Sequence, residues 1–123
     1  MNETTRKVEQ HRSLGERICA TLRNEIDALG FADELPSPHW EEAQFTLQRD
    51  PALGEMSLEG VWLTEHGGKL GTIIIHHDDS FFAEYDIIRP HPTKGKWFIE
   101  AVSAWGRNEN IKTVARLLPM PED

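Results

Sequence analysis

The residues best suited to chemistry lie together in His76-His77-Asp78-Asp79. Imidazole and carboxylate groups are ligands for zinc, iron or manganese. His91, between Pro90 and Pro92, can join this run if two hairpin ends lie side by side. Neighbouring residues of a strand point to opposite faces, which works against His76 and His77 sharing one ion. Two consecutive aspartates are also good turn formers, since their side chains bond nearby backbone and tolerate the left-handed region. A turn is therefore the first expectation here. His76, His77, Asp78, Asp79 and His91 remain candidate ligands for a small metal-dependent enzyme, the rival reading.

Glu84, Asp86 and Glu100 offer a second chemistry on neighbouring strands. Two carboxyls held together on an apolar face would keep one protonated near neutral pH, as general acid–base catalysis requires. Their commoner use is a solvated sheet face, or pairing with Arg89, Lys96 and Lys112. Cys19 stands beside an apolar helical stripe and reads as a small buried hydrophobe. Gly67-Gly68 is too short for a phosphate loop, and no serine stands in a Gly-x-Ser-x-Gly elbow. No catalytic residue is assigned on these grounds, and no cofactor is expected.

Charge narrows the field further. The chain carries 21 Asp and Glu against 13 Lys and Arg, a formal charge of −8. Nucleic-acid binding needs a cationic footprint, so it is not expected, although four tryptophans could stack on bases. No apolar run approaches the ~20 residues of a membrane-crossing helix. The first residues show no apolar signal segment, and a single cysteine cannot form an internal disulfide, so a cytoplasmic setting is expected.

At 123 residues the chain is one domain's worth, with a flexible segment over 1–12 and a single α+β domain over 13–123. Ser13-Leu14-Gly15-Glu16 fits a capping box. Behind it Leu14, Ile18, Leu22, Ile26 and Leu29 recur at helical spacing, and Gly30 with Phe31 suits a helix close. Pro36 and Pro38 mark a rigid connector. From Ala43 onward the period changes to two. Strands are expected over 43–48, 58–65, 69–77, 80–88 and 96–105, giving an antiparallel five-stranded meander with the N-terminal helix on one face. Residues 109–118 fit a short C-terminal helix through Ile111, Val114, Ala115 and Leu118. They also fit a sixth strand through Ile111, Thr113, Ala115 and Leu117; the helix is preferred.

Two-residue turns at Gly67-Gly68 and Asp78-Asp79 would fix the register. Val61, Leu63, Ile74, Phe81, Ala83, Tyr85 and Ile87 then share the face beneath the helix. Trp62, Ile73, Ile75, Phe82 and Ile88 share the other, with Glu84 and Asp86 among them. So apolar a second face calls for a cover. Trp62, Ile73, Ile75, Phe82 and Glu84 are accordingly the candidate binding residues. The expected function is a non-catalytic protein-binding or regulatory module, using a protein partner or self-association; a homodimeric small-ligand binder is the further alternative.

Overall fold

The computed structural model of the chain describes residues 2–28, 38–49, 56–63, 69–90 and 97–119. The Asn2 side chain accepts the Thr5 N–H at 2.8 Å and starts helix α1, Glu3–Gln10. Within the segment expected to be flexible, over 1–12, residues 3–10 thus form a helix whose partly buried Val8 packs against the core. His11 caps α1, and its carbonyl accepts the Gly15 N–H at 2.8 Å as helix α2, Arg12–Ala28, begins. Ser13 therefore sits inside α2 and does not cap it. Arg12 bridges the two helices, bonding Glu9 at 2.5 Å and Glu16 at 3.4 Å.

The helical spacing lands where the sequence places it. Leu14, Ile18, Cys19, Leu22 and Ile26 of α2 are buried, while Leu29 and the Gly30–Phe31 close lie outside the described residues. Gly15 is required at its position, because a Cβ there would overlap the ring of Trp40. Trp40 opens a short 3-10 turn, Trp40–Glu42, that packs on α2. Arg23 anchors the same connection by donating to the Pro38 carbonyl at 2.9 Å.

Six strands follow in one antiparallel sheet whose spatial order is the sequence order. They are β1 Gln44–Arg49, β2 Met56–Leu63, β3 Lys69–Ile75, β4 Ser80–Pro90, β5 Trp97–Arg107 and β6 Asn110–Pro119. The expected C-terminal helix is corrected to β6, so the meander has six strands, not five. The reason is the tight link at Asn108-Glu109. Asn108 takes φ 57°, a conformation asparagine tolerates, and Arg107 pairs directly with Asn110. Ile111 can then pack against the core and Thr113 can donate to Glu25 of α2 at 3.2 Å.

The register corrects the two faces. Leu58 pairs with Ile75 and Trp62 with Gly71, two residues away from the expected alignment, so the faces of β2 and β3 keep their parity. Between β3 and β4 the shift is one residue: Ile73 pairs with Ala83 and Ile75 with Phe81. A shift of one reverses every side chain beyond it. Trp62, Ile73 and Ile75 therefore lie with Phe81, Ala83 and Tyr85 in the core under α2, not with Phe82 and Glu84. Val61, Leu63 and Ile74, expected in the core, belong to the opposite face. The Trp62 indole donates to the His39 carbonyl at 2.9 Å and meets Tyr85 edge-on at 5.9 Å.

Ile18 and Leu22 are wholly buried between α2 and this sheet. Ile18→Ala or Leu22→Ala is expected to lower unfolding free energy by about 2–5 kcal/mol, the range for truncating a buried aliphatic. A urea titration checks it; a loss below about 0.5 kcal/mol would mean that α2 does not carry the packing described here.

Candidate functional site

The His76–Asp79 run closes the β3–β4 hairpin, and its polar groups bind one another and their neighbours. Asp78 accepts the Ser80 N–H at 3.0 Å and the Ser80 hydroxyl at 2.6 Å. These bonds, then Arg107 and His77, hold the Asp78 carboxyl below its ordinary pKa. Arg107 donates to the Asp78 carbonyl at 3.1 Å, and its Nη2 lies 3.5 Å from the Asp78 carboxylate. The Asp79 N–H donates to the His76 carbonyl at 3.0 Å, and the His76 N–H to the Ser80 carbonyl at 2.8 Å. His76 Nδ1 meets the Ser57 hydroxyl at 2.7 Å. Among the described residues no three His, Cys, Asp or Glu side chains gather as a metal would require. His91 and the Gly67-Gly68 turn lie outside the described residues.

What this cluster does is tie two hairpin tips to the junction of α1 and α2. The Asp79 carbonyl accepts the Asn108 N–H at 2.9 Å, joining the β3–β4 and β5–β6 tips. The Asp79 carboxylate lies 3.5 Å from Nδ1 of His11, which is buried at the junction of α1 and α2. Sequence reasoning passed over His11, because nothing in its neighbours marks a buried position.

The remaining candidates separate. Glu84 and Asp86 share the outer face of β4, whereas Glu100 stands opposite Ile87 in the β4–β5 ladder. Cys19 is fully buried, and burial pushes its thiol up to about 12, far from a nucleophile's range. Burial, helped by Glu42, likewise raises the Tyr85 phenol to about 12.

The sheet face turned away from α2 holds the larger feature. Strand pairing lines up Thr46, Glu59, Ile74, Phe82, Trp105 and Lys112 in one row across all six strands. The next row runs through Val61, Thr72, Glu84, Ser103 and Val114. Among the residues whose side chains are described, the exposed large hydrophobics are Leu63, Phe82, Trp105 and Val114, at 37–43% exposure, and alternation along their strands turns them to this face. A concavity of about 360 Å³ opens at its centre, lined by Glu59, Thr72, Ile74, Phe82, Glu84 and Asp86. The expected binding set thus divides: Phe82 and Glu84 belong to this face, while Trp62, Ile73 and Ile75 are core. A three-residue turn at 77–79 would have been the signal, since it alone gathers Trp62, Ile73, Ile75, Phe81, Ala83 and Tyr85 on one apolar side.

No helix among the described residues is long and apolar enough to cross a membrane. Comparison with protein-family models, curated proteins and solved structures returns no match to this chain.

The His11 pKa is lowered, first by burial, with Asp79 opposing and Lys7 adding to the effect. The folded chain therefore prefers the neutral ring, and the unfolded chain takes up the proton first. Stability from this site is complete above an unfolded pKa near 6.5 and is lost as pH falls through that value toward the folded one. Urea midpoints at about pH 7.5 and about pH 5.5 are expected to show a larger acid loss for the parent chain than for His11→Gln. Equal losses would remove His11 as the cause.

Proposed function

We propose that the protein is a non-catalytic binding module of the cytoplasm, and that it engages a protein partner through the sheet face opposite α2. One observation carries this reading: the exposed large hydrophobics among the residues whose side chains are described lie on that face. An antiparallel sheet with one solvated face ordinarily turns polar side chains outward. Here Ile74, Phe82, Trp105, Val61 and Val114 fall in two adjoining rows instead. Contiguous apolar surface rimmed by polar residues is typical of interaction sites. The engagement of Asp78 by Ser80, of His76 by Ser57 and of Asp79 by His11 favours binding over metal-dependent catalysis.

Phe82 is 43% exposed, so Phe82→Glu is expected to leave the fold intact, with a urea midpoint close to the parent's. The parent chain, immobilised beside the variant, should retain a stoichiometric partner from extracts of its source cells that the variant loses. Retention by both, or unfolding of the variant, would sink the assignment of this face.

A further inference from the structure

We propose that the occupant of this face is a cationic, amphipathic protein segment. Its lysine or arginine stems would lie along Ile74 and Phe82, with their charged ends among Glu59, Glu84 and Asp86. The proposal rests on the reading of the face as a docking surface and adds the chemistry of the partner. Charge is the first argument. Glu59 and Asp86 are carboxylates that line the concavity, beside Glu84, which is already engaged; Lys112 stands on β6, at the sheet edge. The whole chain adds a formal −8.

Shape and chemistry agree with that charge. Ile74 and Phe82 stand beside the carboxylates in the same concavity, so an aliphatic stem and a cationic head find matching surfaces together. A cation over the Phe82 ring gains further attraction.

The same features disfavour the other occupants. A second copy packed face to face would bring a second set of the same carboxylates into one interface. Burying like charges together is costly. Nucleic acid and anionic lipid surfaces meet the same repulsion.

The test uses three synthetic peptides of equal length: leucine with arginine, leucine with glutamate, and serine with arginine, each patterned for an amphipathic helix. Backbone amide shifts report where each binds on the full-length chain. The leucine–arginine peptide is expected to shift the amides of Ile74, Phe82 and Glu84, and to bind at least about tenfold more tightly than either other peptide. Glu59→Gln combined with Asp86→Asn should erase most of that advantage, as should raised salt. Glu59→Lys alone provides a second variant, and urea midpoints verify that both fold. Equal binding of the two leucine peptides at this face, or indifference to both variants, would overturn the cationic partner and leave the docking face standing. Shifts confined to other surfaces would overturn both. A concentration-dependent dimer in sedimentation, dissolved by Phe82→Glu, would assign the face to a second copy and overturn the proposal.

Discussion

The turn between β3 and β4 decides which side chains of the sheet meet helix α2. Its geometry is local. Asp78 folds back on Ser80, the Asp79 N–H closes on the His76 carbonyl, and Asp79 takes φ 66°. The loop is thereby three residues long, with the left-handed residue in last place, one of the favoured hairpin links. Because side chains alternate with a period of two, this one residue sends Phe81, Ala83 and Tyr85 toward α2 and Phe82, Glu84 and Asp86 away. The later strands inherit the choice through their own pairing: Val102 and Ala104 face the core because Tyr85 and Ala83 do.

The core's chemistry follows from that register. The inner sheet face offers Ile73, Ile75, Phe81 and Tyr85 beside small Ala83 and Ala104, and the α2 stripe of Leu14, Ile18, Leu22 and Ile26 lies over it. Burial on this scale is the main source of folding free energy. It also explains the polar exceptions. Trp62 keeps its indole satisfied through the His39 carbonyl, while burial lowers the pKa of His11 beside Asp79 at the junction of α1 and α2. Gly106, at φ 149°, lets the backbone of β5 pass so close to Asn110 that a Cβ would collide with its carbonyl. The β5–β6 turn is tight for the same reason.

Much of this was legible in the sequence, and the failures share a cause. The α2 stripe is one period repeated over many residues, so no single uncertain position could hide it. The strands were legible by alternation. The β3–β4 register was not, because Asp78-Asp79 satisfies a two-residue turn as well as a three-residue one and only the long-range core discriminates them. Residues 109–118 carried two superposed periods, and Asn108, able to adopt positive φ, settled the matter through the turn it makes with Glu109. The candidate site inherited the register error. Phe82 and Glu84 fell on the outer face as expected, but Trp62, Ile73 and Ile75 were exchanged with Val61 and Ile74. The tip residues were visible as chemistry, yet their roles were not, since His11 and Asn108 are far from them in sequence.

An open sheet with one helical cover has an unequal pair of faces, and the inequality here is not simply apolar against polar. Ser103, small and nearly buried, lies between Glu84 and Val114 in its row, and Glu59 precedes Ile74 and Phe82 in the next. Glu59 stands next to Ile74 and Asp86 next to Ala101 on the adjoining strands, while Glu84 lies between Thr72 and Ser103. Interleaving of this kind limits the stretch of uninterrupted hydrocarbon shown to water, which keeps a free edge-bearing sheet from pairing with its own copies. An apolar partner surface would bury Glu59 and Asp86 without bringing a counter-charge, at a cost of several kcal/mol for an ion left unpaired. On the proposed reading, a partner that brings both hydrocarbon and positive charge would meet neither penalty, so the mixture of carboxylate and hydrocarbon on this face favours such a partner over a purely apolar one.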